Sequence, residues 1–96
     1  MKSLQEIKAI LKAHKNDLFR SYSLASLAIF GSFAREEEND TSDLDILVEF
    51  NDKIGIRFID LAQELERLIE LKVDLVSKKG VKKRYLESIE QDLIYV

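Results

Sequence analysis

Asp43 and Asp45 stand two residues apart in "SDLDILVEF", a stretch that otherwise reads as a half-buried strand. Alternation sends Leu44, Ile46, Val48 and Phe50 to one face and Asp43, Asp45, Leu47 and Glu49 to the other. An ion costs several kcal/mol to desolvate unless it is paired or bound to a metal, so something should neutralise the two aspartates. Residues i and i+2 of a strand lie roughly 6.5–7 Å apart with parallel side chains. Two carboxylates so placed can share a pair of divalent cations about 3.5–4 Å apart. A second strand-like run, "KVDLV", puts Asp74 between Val73 and Leu75, pointing away from the face those two bury. Three acids on one open face of a small sheet suit two-metal phosphoryl transfer.

Gly31-Ser32 fits the same chemistry. It follows the apolar run "LASLAIF", and Ser32 is a plausible helix start. Glycine lets a phosphate approach the backbone, and the N–H groups of the next turn with the serine hydroxyl can hold it. Alone, "GS" is a weak signal and Gly31 could simply end a strand. It gains weight because the "DxD" strand begins eleven residues later and a strand with one acid follows.

Helices and short strands must position these groups. "SLQEIKAILKAHKNDLFRSY" predicts a helix, with Ser3 and Glu6 as a capping box and Leu4, Ile7, Ile10, Leu11 and Leu18 at helical spacing. "LASLAIFGS" predicts a buried strand ended by glycine. "IRFIDLAQELERLIEL" predicts a second amphipathic helix, with Phe58, Leu61, Leu65 and Leu68 inward. "KVDLVS" is a third short strand and "KKRYLESIEQDL" a last helix. The order α-β-(short α)-β-α-β-α predicts an α/β (α+β) domain, a small sheet covered on one face by helices and carrying the acids on its open face.

Composition narrows the function classes. At 96 residues the chain is long enough for one domain, 1–96. A hydrophobic fraction of 46% beside 34% charged residues is globular rather than disordered. There is no cysteine, which excludes a disulfide framework, a zinc–thiolate site and a thiol nucleophile. No apolar run approaches the roughly 20 residues that span a bilayer, and the N-terminus lacks a secretory core, so a cytoplasmic protein without membrane contact is expected. A net charge of −3 argues against direct nucleic-acid binding.

With these residues in place, "GSFAR…SDLDILV" resembles the GS…DxD signature of the DNA polymerase β-like nucleotidyltransferase superfamily. The short length and "KVDLVSKKGVKKRYLESIEQDLIYV" resemble its minimal nucleotidyltransferases, the MNT-domain proteins. The resemblance implies the nucleotidyltransferase fold and a Mg²⁺-dependent transfer of AMP from ATP to a partner protein's hydroxyl, tyrosine foremost. It implies that Gly31 and Ser32 hold the triphosphate, that Asp43 and Asp45 bridge two Mg²⁺, and that Asp74 ligates the catalytic metal and orients or deprotonates the acceptor. Relatives of this kind are often antitoxins of toxin–antitoxin pairs, encoded beside a HEPN-domain toxin. That toxin would be both acceptor and partner in a hetero-oligomer. The alternative is a non-catalytic antitoxin that neutralises its toxin by contact.

The chain departs from the family pattern twice. Glu36 stands where "GSxARG" ends in glycine, and "ELKVDL" replaces "GRKVDL", putting Glu70 at the second glycine. The first makes the loop after the phosphate turn more acidic, and the second alters how the long helix ends. Other features read more plainly. Arg35 is expected to be ion-paired or solvated rather than on a phosphate. "EEEND", Glu36 to Asp40, fails the EF-hand template and is expected to be a mobile, solvated loop. "KKGVKKR", Lys78 to Arg84, is expected to be a solvated turn leading into a helix. His14 has no second histidine to work with, and Tyr22, Tyr85 and Tyr95 are expected to pack.

Overall fold

Ser3 and Glu6 start the first helix reciprocally. The Glu6 N–H donates to Ser3 Oγ at 3.2 Å, and the Ser3 N–H donates to Glu6 Oε1 at 3.2 Å. In the computed structural model, which describes residues 2–96, helix α1 runs Leu4–Ser21 and buries Leu4, Ile7, Leu11 and Leu18. Strand β1 is Leu24–Phe30, and the one-turn helix α2 is Gly31–Ala34. Strand β2 is Leu44–Phe50, helix α3 Arg57–Ile69 and strand β3 Val73–Ser77. Helix α4 is Lys83–Ile89, followed by a 3-10 turn Glu90–Asp92 and a two-residue strand β4, Ile94–Tyr95. The fourth strand is absent from the expected order. Its two residues carry no alternation of their own, and they are strand only because they pair with Ala28 and Ile29 of β1.

The sheet order is β3-β2-β1-β4. β1 pairs antiparallel with β2 and β4, while β2 and β3 are parallel. Parallel neighbours need a crossover, and α3 supplies it. Leu27, Ile29, Leu44, Ile46 and Val48 meet α1 and α3 in one core with Leu61, Leu65 and Ile69. The last turn of α3 buries Ile69 fully, whereas Leu68 is half-buried, one position off the expected stripe.

The opposite face is divided in two. Phe30, Leu47 and Ile89 form a second small core with Val76, Leu86 and Leu93. So α4 and the residues after it cover the Val76–Leu47–Ala28 row. The neighbouring row, Asp74–Asp45–Phe30, keeps its two acids partly open.

Two helix-edge contacts fix β3 against β2. The Val73 N–H donates to Glu66 Oε2 of α3 at 2.9 Å, and the Leu44 N–H donates to the Lys72 carbonyl at 2.9 Å. Tyr22 is buried, as expected, and its hydroxyl donates to Glu64 at 3.1 Å. Tyr85 and Tyr95 are instead exposed, on α4 and on the edge strand, where no element lies over them.

Candidate active site

The register set by those contacts makes Asp45 and Asp74 direct partners across β2 and β3. Both lie on the face away from the main core, as alternation predicts. Asp45 is half-buried and Asp74 exposed. Asp43 is exposed and precedes β2 by one residue. Burial pushes the Asp45 carboxyl up to about 6, with Asp74 at hydrogen-bonding range and the Asp43 charge adding to the rise; only Arg35 opposes it. Among the described residues no three carboxylate or imidazole groups converge closely enough to cage a single ion. The tight unit is therefore the Asp45–Asp74 pair, with Asp43 at its rim.

Gly31 lies against that pair. Its φ is +75°, and a Cβ there would collide with the Asp45 carboxylate, whose Cγ and Cβ would lie 3.0 and 3.3 Å away. Glycine is required at this position on both counts. The turn that follows is closed by its own backbone. The Arg35 N–H donates to the Gly31 carbonyl at 3.1 Å and the Glu37 N–H to the Ser32 carbonyl at 2.8 Å. Ser32 is half-buried, and Phe33, fully buried, anchors the turn in the main core. The first N–H groups of such a turn have no partner within it.

Arg35 is ion-paired, as expected. Its Nε donates to Glu37 at 2.8 Å and its Nη1 to Asp92 at 2.8 Å. Asp92 carried no signal in the sequence, because 57 residues separate the partners. The acidic loop is solvated but more ordered than expected. Asn39 Oδ1 accepts from the Thr41 N–H at 2.9 Å and from the Thr41 hydroxyl at 2.7 Å, and the Asn39 N–H donates to Ser42 Oγ at 2.9 Å. The two family glycine positions have a physical reading. Glu36 has φ +57° and Glu70 φ +61°, both left-handed, so glutamate holds a conformation that glycine adopts without strain.

A large cleft lies elsewhere. A cavity of about 680 Å³ opens at the other end of β2, lined by Phe50, Lys53, Ile54, Phe58, Ser77 and Lys79 among others. It contains none of the three aspartates.

A family model for the nucleotidyltransferase domain matches residues 6–96. A Methanocaldococcus jannaschii protein, MJ0126, provisionally named a protein adenylyltransferase, is 47% identical, with all of both chains covered. The protein adenylyltransferase MntA of Thermococcus cleftensis is 38% identical over all of this chain and 98% of its own length. Among solved structures, one described as a minimal nucleotidyltransferase superposes with a TM-score of 0.83 at 31% identity, covering 97% of this chain and 95% of the other. The MNT antitoxin complexed with tri-AMPylated HEPN toxin from Shewanella oneidensis superposes at 0.68, covering 93% and 70%; at 22% identity that likeness is one of fold. No helix among the described residues is long and apolar enough to cross a membrane. A glycine turn packed on one member of an acid pair, with a family match from residue 6 to the last, makes this chain a member of the minimal nucleotidyltransferases and an enzyme of nucleotidyl transfer.

Proposed function

We propose that this chain transfers AMP from ATP to a hydroxyl, a tyrosine foremost, on a HEPN-domain protein that it also binds and neutralises, in the cytoplasm. The observation that carries the reading is the Gly31–Asp45–Asp74 juxtaposition: a glycine turn packed on Asp45, whose register partner across the sheet is a second acid, Asp74. Gly31 and Ser32 hold the triphosphate by backbone N–H groups and the serine hydroxyl. The Asp45–Asp74 pair, with Asp43 at its rim, would hold Mg²⁺, because a cation offsets the burial and the neighbouring acid charges that together raise the Asp45 carboxyl. When bound, Mg²⁺ supplies charge neutralisation for the phosphate oxygens.

Asp74 is the more exposed of the paired acids and stands on the edge strand, where an incoming hydroxyl has access. It orients that hydroxyl and accepts its proton. The acceptor oxygen forms a bond to the α-phosphorus as the α–β bridging bond breaks, and pyrophosphate leaves. With Asp45 half-buried and Asp74 exposed, the acid pair is open to an acceptor protein, which completes the site.

Mixing the chain with the product of its neighbouring gene, MgATP and no other protein tests the reading by intact mass. The expected result is one or more AMP additions on the neighbour. Tight binding and full neutralisation with no added mass would replace transfer by inhibition through contact alone.

A further inference from the structure

The Gly31–Ala34 turn cannot hold its own shape. A single helical turn is below the length at which a helix is stable alone. It has no side-chain cap at its start, and it runs into Glu36 in a strained left-handed conformation. Its geometry must come from tertiary contacts. Phe33 pins one side in the main core. On the other side Arg35, which caps the turn, reaches Asp92 in the 3-10 turn that follows α4. The segment containing Asp92 is itself fixed to the sheet. Leu93 packs into the second core, Ile94 and Tyr95 pair with β1, and the Val96 N–H donates to the Leu27 carbonyl at 3.0 Å.

We propose that Asp92 is a positioning residue: through Arg35 it clamps the Gly31–Ser32 turn to the C-terminal strap and so sets the turn's angle to the acid pair. The inference rests on the nucleotidyl-transfer reading for its consequence, though not for its geometry. The Arg35 side chain is 45% exposed and that of Asp92 26%. An ion pair so exposed adds little to global stability, so its effect should be local to the turn. Glu37, the other partner of Arg35, is two residues away on the same loop and cannot tie the turn to the rest of the fold.

Asp92→Ala and Glu37→Ala, compared with the unaltered chain, separate the possibilities through two readouts. In Asp92→Ala, amide exchange at residues 35–37 should speed up about tenfold, with α1 and β2 unchanged. The dissociation constant for MgATP should rise about five- to tenfold. Asp92→Glu should restore both in large part, and Glu37→Ala should move neither by more than about twofold. Unchanged exchange in Asp92→Ala overturns the clamp whatever the nucleotide does. Faster exchange with unaltered MgATP affinity overturns the positioning role and leaves a structural tie. If the unaltered chain binds no MgATP, the transfer reading fails, and the exchange data alone decide the clamp.

Discussion

The two ends of strand β2 solve the same problem in opposite ways. At its far end Glu49 on the acid face meets Lys78, Nζ to Oε1 3.7 Å, and a cleft lined by Phe50 and Phe58 opens beside them. Charge is answered by charge within the protein. At its near end Asp45 faces Asp74, Asp43 stands beside them, and the one cation that opposes the rise, Arg35, is engaged by Glu37 and Asp92. Repulsion there is left standing. A fold that pairs a carboxylate four residues along the same strand did not lack the means to pair these. On the proposed reading the unpaired end takes an external cation and anion, and the paired end is ordinary surface with a hydrophobic floor.

The largest expected effect breaks this contrast at the acid end. Asp74→Asn keeps the shape and removes the proton acceptor, so single-turnover transfer should fall by about 10²–10⁴. MgATP affinity should stay within a few-fold. Transfer near the unaltered rate would remove Asp74 from the mechanism.

The second effect is a pH signature of the ligand-free protein. Asp45 has its folded value raised from 3.8 to about 6. Below about pH 3 the carboxyl is largely protonated in both states and costs almost nothing. As pH rises towards 6 the unfolded chain loses its proton first, so this group withdraws stability, and the loss is complete above that. A two-unit shift corresponds to about 3 kcal/mol, which partial exposure reduces to about 1–2 kcal/mol. Urea unfolding of Asp45→Asn should therefore show a gain over the unaltered chain at pH 7 that has largely vanished by about pH 3. An equal gain at both pH values would mean that packing, rather than charge, sets the cost.

Smaller effects sharpen the comparison. Glu36→Gly and Glu70→Gly each relieve a left-handed residue and should stabilise by about 0.5–1 kcal/mol in the same assay. A loss at Glu70 would mean that its Lys2 contact, 3.1 Å, matters more than backbone strain. Lys78→Ala, at the paired end, should cost under about 0.5 kcal/mol and leave transfer untouched. A tenfold loss of transfer there would join the two ends into one site.

How much was legible follows the range of the interactions involved. Capping by Ser3 and Glu6, alternation in 44–50 and the period of α3 are local; the first two are seen where the sequence places them, and the third runs true at Leu61 and Leu65 before shifting by one residue to Ile69. The family glycines at 36 and 70 were legible as departures, but their left-handed backbone was not, because a dihedral angle leaves no mark once glycine is replaced. β4 was missed because two residues have no period to read. The exposed Tyr85 and Tyr95 were misplaced because aromatic identity says nothing about what covers a residue.

The amino-acid sequence by itself determined the groups at hand: Asp45 and Asp74 on strands with Asp43 one residue before β2, a glycine–serine turn ahead of them and no thiol to compete, all fixed by residue type and spacing along a few neighbouring positions. The tertiary structure alone decided the geometry. Parallel pairing of β2 with β3 makes Asp45 and Asp74 a pair and leaves Asp43 at the rim, and strand closure at β4 carries Asp92 to Arg35. Those contacts join residues tens of positions apart, and only the packing of α1, α3 and α4 around one sheet brings them within reach.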